Sequence, residues 1–375
     1  MVRAIRRLVT TVMSVGALVP MFSAGAQVRI AEAAFVMSNN ADRNEIIEFQ
    51  READGSYAKS HFDTFGRGTG GVNDPLESQG SLTLSTDRSL LFAANAGSGD
   101  VTVFHVHHNA LVFADKEPSG GSQPVSIAQR GNSVYVLNSG GAGSVVGFRL
   151  ESNGHLHKIP NSTAFLSANA TGGASISISP DGNFVAVVER TANKIDTFRV
   201  KPDGTLATPT VTPSSGAGAF SAQFAPDGKL IVSETGPANV SLGSAISSYT
   251  LLPNGALAVV SQSIATDGAA NCWNAISPDG SRVYASNAGT STIAGFAVDQ
   301  NGVLTPLNGT IVGANPEGST NLDIAISGDG KYLYSLNGKV GAIGVFAIKS
   351  DGTLQEVTQI EGLPQAVGFN GIAAL

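Results

Sequence analysis

One pattern recurs seven times along this chain and constrains its fold more than any other feature. Each copy holds a hydrophobic strand, a tight turn, a second strand ending in Asn or Glu, and a third strand ending on an aromatic residue. Neighbouring aromatics are 44 to 55 residues apart, at Phe49, Phe104, Phe148, Phe198, Tyr249, Phe296 and Phe346. Repeats of this length with short strands are typical of propeller blades, which stack because none buries its apolar faces alone. We therefore predict an all-β fold, a seven-bladed β-propeller.

The turns and the chain ends support this prediction. Asp-Gly between two strand-like runs, as in Pro180-Asp181-Gly182 and Pro278-Asp279-Gly280, favours a hairpin because Gly accepts the positive φ of tight turns. The first copy lacks an inner strand, whereas the C-terminal tail is a lone strand, Ala366 to Ala373. We expect this tail to pair beside Phe35 to Ser38, which would close the ring and remove exposed sheet edges.

The composition agrees with one large β domain. The chain has 45 Gly and only 14% charged residues, and no long stretch of helical period follows residue 30. No Pro- or Ser-rich linker interrupts the repeat, so residues 27–375 are predicted to form a single domain. The stretch from Gly66 to Gln79 is interpreted as a loop within it.

The first 26 residues have a different character. Arg3, Arg6 and Arg7 precede an apolar run that ends at Phe22, and Ala24-Gly25-Ala26 supplies the small residues that a signal peptidase prefers. Residues 1–26 are therefore predicted to be a signal peptide, and the protein to be secreted or periplasmic. A second Ala-rich site near residue 33 leaves the cleavage point open. A retained membrane anchor is the alternative, although the apolar run is short for a membrane span.

Net charge limits the classes of partner that we expect, and the cysteine content limits the possible disulfides. The net charge is −7, and it becomes −10 when the three arginines of residues 1–26 are removed. An acidic protein does not favour nucleic acid or anionic membranes, so we expect neither as a partner once the signal is removed. Cys272 is the only cysteine, which rules out an internal disulfide, and we interpret it as a packed residue. We expect a monomer.

Candidate site residues follow from the geometry of an antiparallel meander. The end of the second strand and the start of the inner strand share one face, the loop face, while the Pro-Asp-Gly turns lie on the opposite turn face. Second strands end in Asn in five copies, among them Asn287, which is predicted to bind substrate, but in Glu189 and Glu234 in two neighbouring copies. Two carboxylates could bind a divalent cation, orient sugar hydroxyls, or act as an acid and base pair. Alternatively, they bond backbone groups as Asn does.

The heads of the inner strands give a second set of candidates at the channel mouth. Ser175, Ser221, Trp273 and Asp323 occupy equivalent positions and are predicted to bind substrate, with Trp273 offering a ring for stacking. Arg190 follows Glu189 directly and is predicted to act with Glu189 and Glu234 in catalysis by contacting an anionic group. No cofactor is certain, and the ligands of a metal stay unassigned. The cluster of His105, His107 and His108 is interpreted as solvated surface.

The chain resembles a known family, the seven-bladed propeller lactonases, which include bacterial 6-phosphogluconolactonases and fungal carboxymuconate lactonising enzymes. The resemblance rests on three segments of blade sequence and covers almost everything after residue 34. They are Ile178-Ser179-Pro180-Asp181-Gly182, the run from Ile276 to Asn287, and Lys349-Ser350-Asp351-Gly352-Thr353-Leu354. It implies a small-molecule lactone or carbohydrate-like ligand. The His and Arg that the family uses in catalysis have no counterparts here, and the chain looks closer to an exported branch.

Two functions from different classes remain open from the sequence. In the first, an exported lactonase-like enzyme opens or forms the lactone of a sugar acid or related carboxylate at the channel mouth. In that case Glu189 or Glu234 is the general base and Arg190 steadies the developing oxyanion. In the second, the propeller is a non-catalytic binding or scaffolding module. The resemblance slightly favours the lactonase.

Overall fold

The computed structural model describes residue 1 and residues 32–107, 110–169 and 172–375. Apart from Met1, the predicted signal peptide lies outside these residues, as does His108. The described residues from Glu32 to Leu375 form one compact unit. None of the described residues belongs to a helix with the length and apolar character needed to span a membrane.

Seven antiparallel sheets follow one another along the chain, each with four strands or, in one blade, five. Blade 1 holds β1 (Ala33–Met37), β2 (Glu45–Arg51) and β3 (Tyr57–Asp63), and blade 2 holds β4 (Leu82–Leu84), β5 (Leu90–Asn95), β6 (Asp100–His107) and β7 (Ala110–Pro118). Blade 3 holds β8 (Pro124–Arg130), β9 (Ser133–Asn138), β10 (Ser144–Leu150) and a divided outer strand, β11 (Leu156–Lys158) and β12 (Ala164–Phe165). Blade 4 holds β13 (Gly173–Ile178), β14 (Phe184–Glu189), β15 (Lys194–Arg199) and β16 (Thr210–Pro213).

The remaining blades repeat the same order from the channel outward. Blade 5 holds β17 (Ala219–Phe224), β18 (Lys229–Glu234), β19 (Ala245–Leu251) and β20 (Leu257–Ala265). Blade 6 holds β21 (Asn271–Ile276), β22 (Arg282–Asn287), β23 (Thr292–Val298) and β24 (Leu304–Ala314), and blade 7 holds β25 (Asn321–Ile326), β26 (Tyr332–Asn337), β27 (Ala342–Ile348) and β28 (Leu354–Glu361). The last strand, β29 (Ile372–Ala374), returns to blade 1 as its inner strand. The predicted seven-bladed β-propeller is therefore confirmed.

The ring closes through the C-terminal strand, as the sequence predicted. β29 pairs antiparallel with β1, so that Phe35 lies opposite Ala373. Regular pairing is shorter than the predicted strand, because it begins only at Ile372 and Ala366 adopts a φ of 50°. Backbone hydrogen bonds from Met37 N to Gly371 O and from Asn370 N to Met37 O continue the pairing on the N-terminal side of β29.

Apolar packing between blades forms the core. The seven repeated aromatics are all buried, with at most 2% of their surface exposed. The turn glycines adopt the positive φ that their sequence predicted, for example 74° at Gly182 and 73° at Gly280. The inner strands of the seven blades line a central channel. Each of them runs from the loop face to the turn face.

Candidate functional site

The chain itself fills the loop-face mouth of the channel. The connection from β3 to β4 holds eighteen residues, whereas the other six connections between blades hold five to ten. Its last part, residues 74–81, is named here the plug segment. Gln79 N donates to Ala174 O at 3.0 Å, and Ser78 Oγ donates to Val125 O at 2.9 Å. These bonds join the plug segment to the inner strands of blades 3 and 4.

Three of the predicted site residues bind the plug segment. Trp273 is 1% exposed and its Nε1 donates to Ser78 O at 2.9 Å. Asp323 is 3% exposed and its Oδ1 accepts from Gln79 Nε2 at 2.9 Å. Arg190 forms an ion pair with Glu77. These three residues therefore contact the protein's own loop, and their predicted roles toward a substrate stay predictions.

Trp273 is held by packing as well as by its hydrogen bond. Its ring meets Phe220 edge-on, with centroids 5.3 Å apart. A buried indole with its N–H satisfied offers no free face to a sugar while the plug segment is in place. Its predicted role in stacking on a substrate stays a prediction.

The two predicted serines connect neighbouring inner strands. Ser175 Oγ accepts from Ala222 N at 2.8 Å, and Ser221 Oγ accepts from Asn274 Nδ2 at 2.9 Å. Both serines are buried. The first bond satisfies a backbone N–H and the second a side-chain amide, each from the inner strand of the following blade. The structure thus gives each serine a partner within the ring.

Glu189 lies in a carboxyl pair within its own blade. Ser167 donates its N–H to Glu189 Oε1 and its Oγ–H to Glu189 Oε2, both at 2.7 Å. The same N–H donates to Asp196 Oδ2 at 2.8 Å. Burial, and then the charge of Glu189, raise the pKa of Asp196. Glu189 therefore interacts with Asp196 of the adjacent strand.

Glu234 is bonded by the connection that precedes its own blade. Its Oε1 accepts from Gly216 N at 2.8 Å and from Ser247 Oγ at 2.7 Å. Burial raises the pKa of Glu234, and the hydrogen bonds to its carboxylate act in the opposite direction. No described residue donates to both Glu189 and Glu234, so the structure shows no shared site for the two predicted catalytic carboxylates.

Asn and Glu residues at the ends of second strands bond the connection that enters their own blade, but that connection presents different groups to each residue type. Asn138 and Asn287 donate their side-chain N–H to the carbonyls of Ser119 and Thr266, in the connections that enter their blades. At Glu189 the connection presents N–H and O–H donors, and a carboxylate is the acceptor that suits them. The local backbone therefore explains why Glu replaces Asn, and the catalytic roles of Glu189, Glu234 and Arg190 stay predictions.

The remaining His and Cys residues show neither a metal site nor a reactive thiol among the described residues. Among the described residues, no group of three or more His, Cys, Asp or Glu side chains could hold a metal ion. The rings of His105 and His107 lie 6.0 Å apart, and His105 Nε2 contacts Asn153 O. Cys272 is free and buried, and burial raises the pKa of its thiol well above the ordinary value. The thiol is therefore not a thiolate nucleophile at neutral pH.

The channel beneath the plug segment contains a cavity that reaches the turn face. It measures about 510 Å³ and extends from Gln79 and Asp323 to the turn residues Thr86, Pro278 and Gly328. A second cavity of about 220 Å³ adjoins it and shares Gln79, Thr83 and Gln223 in its wall. Access to Asp323 is thus from the turn face, opposite to the face that the sequence predicted.

Asp323 is the titratable group at the inner end of this cavity. Burial raises its pKa to about 7, and hydrogen bonds from Ile372 N, Gln79 and Ile324 N oppose that rise. Its Oδ1 accepts two bonds of 2.9 Å, whereas Oδ2 accepts one of 3.3 Å. Oδ2 is therefore the oxygen with capacity for another partner. A carboxyl that titrates near neutrality can accept and return a proton at physiological pH.

Three further residues of the cavity wall were missed in the sequence. Thr83 and Gln223 line it and form no side-chain hydrogen bond with any described residue. Arg88 lies at the turn-face rim and donates to Ala374 O. It adopts a φ of 59° at a turn position where other blades carry Gly. That substitution was the signal available in the sequence.

A family profile and known proteins agree with this architecture. The profile described as "Lactonase, 7-bladed beta-propeller" matches residues 142–241 and 233–366. A 6-phosphogluconolactonase from Enterobacter sp. (strain 638) is 27% identical over 263 residues, which cover 62% of this chain and 76% of that protein.

Solved structures show the same fold. A protein from Lactobacillus plantarum superimposes with a TM-score of 0.70 at 17% identity, over 92% of this chain and 99% of its own. The periplasmic gluconolactonase from Pseudomonas aeruginosa gives a TM-score of 0.65 at 18% identity, over 90% and 99%. With the family profile matching more than half of its length, the chain belongs to the seven-bladed β-propeller lactonase family.

Proposed function

We propose that this protein is a lactonase that hydrolyses the lactone of a polyhydroxylated acid in the central channel, reached from the turn face. The observation that carries the proposal is Asp323, a buried carboxyl with a pKa of about 7 that lines a cavity of about 510 Å³. A general base is most effective when its pKa lies near the working pH.

The reaction needs one water and two proton transfers. Asp323 Oδ2 removes a proton from a water, whose oxygen attacks the lactone carbonyl carbon and forms a tetrahedral oxyanion. The Gln223 amide, which has N–H groups to donate, stabilises that oxyanion. The ring C–O bond then breaks, the alkoxide takes the proton from Asp323, and the product is an open-chain hydroxy acid.

The cavity wall supports a hydroxylated, acidic substrate class. Thr83 and Gln223 offer hydrogen bonds that no described residue uses. Arg88 places a cation at the entrance, where an anionic substituent of the substrate would meet it. Sugar-acid lactones combine both features. The Enterobacter relative and the Pseudomonas structure are named for enzymes of that substrate class, which adds support from similarity.

We also infer that the enzyme acts outside the cytoplasm as a monomer. The basic and apolar pattern of residues 1–26 supports export. The closed ring supports a monomer, because closure leaves the inner edge of blade 1 paired with β29.

A non-catalytic binding propeller is the second candidate. The observation in its favour is that Glu189 and Glu234 bond backbone N–H groups of the inter-blade connections, where other blades use Asn. A protein of this kind would bind a ligand without converting it.

The test is a pH-stat assay of proton release from sugar-acid lactones, with a variant that blocks the channel. Ala325 lies two residues beyond Asp323 toward the turn face and lines the same cavity, so Ala325→Phe obstructs the approach to Asp323. Ala41→Phe, at an exposed site beyond the loop-face end of β1, is the matched control.

We expect the wild type and Ala41→Phe to hydrolyse a lactone at the same rate and Ala325→Phe to lose most of that activity while binding less product. A wild type that binds aldonic acids but never accelerates hydrolysis would favour the binding propeller. Equal activity in the two Phe variants would place the reaction elsewhere.

A further inference from the structure

Gln79 of the plug segment reaches across the channel to Asp323. Its backbone is bound to one side of the ring, since Gln79 N donates to Ala174 O at 3.0 Å and Gln79 O accepts from Ser126 Oγ at 2.5 Å. These partners belong to the inner strands of blades 4 and 3. Its side chain is bound on the other side of the ring, by the inner strands of blades 6 and 7. Gln79 is therefore held at both ends.

The backbone of Asn274 fixes which way the Gln79 amide points. Gln79 Nε2 donates to Asn274 O at 2.8 Å, and Gln79 Oε1 accepts from Asn274 N at 3.3 Å. A backbone carbonyl can only accept a hydrogen bond, and a backbone N–H can only donate one. Exchanging the oxygen and nitrogen of the amide would bring two acceptors together at one contact and two donors together at the other. Nε2 is therefore the atom that lies toward Asp323.

The second N–H of this amide holds one oxygen of Asp323. Gln79 Nε2 donates to Asp323 Oδ1 at 2.9 Å, and Ile324 N donates to the same oxygen at 2.9 Å. A carboxylate oxygen has two lone-pair positions, and these two bonds occupy both. A proton on Oδ1 would have to displace one of the two donors. The neutral form of Asp323 therefore carries its proton on Oδ2.

The other oxygen of Asp323 is less fully bonded. Ile372 N donates to Oδ2 at 3.3 Å, and no second described residue donates to it. Asp323 and Gln79 both line the cavity of about 510 Å³. A general base works through an oxygen that can reach the proton it removes and then hold it. By occupying Oδ1, the Gln79 amide leaves Oδ2 for that work.

Anchoring of the plug segment does not require the bond from Gln79 to Asp323. The two bonds to Asn274 already join the segment to blade 6, and Ser78 joins it to Val125 and Trp273. The bond to Asp323 differs from these because its acceptor titrates. It stabilises the charged form of the carboxyl and so opposes the rise in pKa that burial causes.

We propose that Gln79 is a positioning residue for Asp323, whose amide holds Oδ1 so that the proton is taken up and returned through Oδ2. Its catalytic part rests on the lactonase function proposed above, in which Asp323 is the general base. The position of the proton on Asp323 does not depend on that function. Gln79 acts through Asp323, and the connection between blades 1 and 2 thereby contributes to the channel site.

The first test follows the Asp323 carboxyl by carbon-13 NMR, with the signal assigned by its loss in Asp323→Asn. Gln79→Met keeps the length of the side chain and removes its N–H groups. We expect the pKa of Asp323 to rise by about one to two pH units in this variant, because a hydrogen bond to a charged group is lost. Gln355→Met, at an exposed position of blade 7, is the matched control and is expected to leave that pKa unchanged.

A second variant separates the amide of Gln79 from the position of the plug segment. Ser78→Ala removes the bond from Ser78 Oγ to Val125 O and keeps Gln79, so we expect the pKa of Asp323 to stay at its wild-type value. An unchanged or lower pKa in Gln79→Met would overturn the proposal. An equal rise in Ser78→Ala would overturn it as well, because the plug segment as a whole would then be the cause.

The last test measures lactone hydrolysis against pH. We expect Gln79→Met to lower kcat by about 10- to 100-fold with little change in KM, because the base is misplaced while the cavity remains. Its rate should also rise at a higher pH than the wild-type rate does. A wild-type kcat and pH profile in the variant would overturn the positioning role. A wild type that hydrolyses no lactone, with the expected pKa rise in Gln79→Met, would refute the general base and support the control of Asp323 by Gln79.

Discussion

Asp323→Asn removes the buried acid at the inner end of the channel cavity. The pKa of Asp323 is raised by burial from 3.8 to about 7. A carboxyl whose pKa is higher in the folded than in the unfolded state stabilises the fold below the unfolded pKa. That contribution is lost as the pH rises through the folded pKa. Asp323 therefore makes the stability of the fold depend on pH between about pH 4 and about pH 7.

The magnitude follows from the difference of about 3 pKa units. At about 1.4 kcal/mol per unit, Asp323 lowers the free energy of unfolding by about 4 kcal/mol between the two ends of the window. The amide that Asp323→Asn introduces does not titrate, so the variant lacks this component. The charge of Asp323 also raises the pKa of Asp74. Removing that charge lowers the pKa of Asp74, which further raises the stability of the variant relative to the wild type at high pH. A loss of the 3.3 Å bond from Ile372 N to Oδ2 adds a cost that does not depend on pH.

The assay is urea unfolding of both proteins at pH values from 4 to 8. We expect the stability of the variant relative to the wild type to rise by about 4 kcal/mol from pH 4 to pH 8, whatever its value at pH 4. In the lactone assay the wild-type rate should rise through pH 7, and the variant should lose about 10²- to 10⁴-fold in kcat/KM. Parallel stability curves for the two proteins would refute the assignment of the pKa. An unchanged pH–rate profile in the variant would refute the general base.

Three other predictions address closure, export and the buried Glu residues. Deleting residues 362–375 removes the inner strand of blade 1 and should abolish cooperative thermal unfolding near the wild-type temperature, since apolar faces of two blades lose their partner; a truncated protein with an unchanged melting temperature would contradict ring closure. N-terminal sequencing of the exported protein should start near Gln27 or Ala34, and an intact Met1 would count against the signal peptide. Glu189→Ala should lower stability by about 1 to 3 kcal/mol by leaving the Ser167 donors unpaired; a change below the error of the melt would show that those bonds contribute little.

The architecture could be predicted from the sequence because each blade is specified by residues close together in the chain, and the same pattern recurs in every blade. Each blade carries its own aromatic, such as Phe198 or Phe296, and its own turn, and a feature that recurs at nearly constant spacing constrains the fold strongly. Closure could be predicted as well, because β1 begins a blade that lacks an inner strand and only the C-terminal tail remains to supply it.

The state of the channel mouth could not be predicted from the same pattern. The bond between Trp273 and Ser78 joins residues 195 positions apart, and nothing in the local sequence of either residue specifies the other. The only hint was length, because the first spacing between aromatics, from Phe49 to Phe104, is the longest of the six. The sequence therefore missed the partner of the residues at the heads of inner strands, which is the plug segment.

The interpretation of Glu189 and Glu234 depended on a similar long-range feature. In the sequence they differ from the Asn residues of the other blades, which suggested chemistry. In the structure, the connections facing Glu189 and Glu234 present N–H donors at Ser167 and Gly216. The connection facing Asn138 presents the carbonyl of Ser119, which is an acceptor. Backbone direction in a loop is set by packing and cannot be derived from strand periodicity.

The most direct test of the central claim is a crystal structure of the wild type with a sugar lactam, the nitrogen analogue of the lactone, which resists hydrolysis. We expect the lactam in the turn-face cavity, with its carbonyl oxygen within hydrogen-bond distance of Gln223 and the adjoining water within reach of Asp323 Oδ2. A lactam bound instead on the loop face, with the plug segment displaced from Trp273, would contradict it.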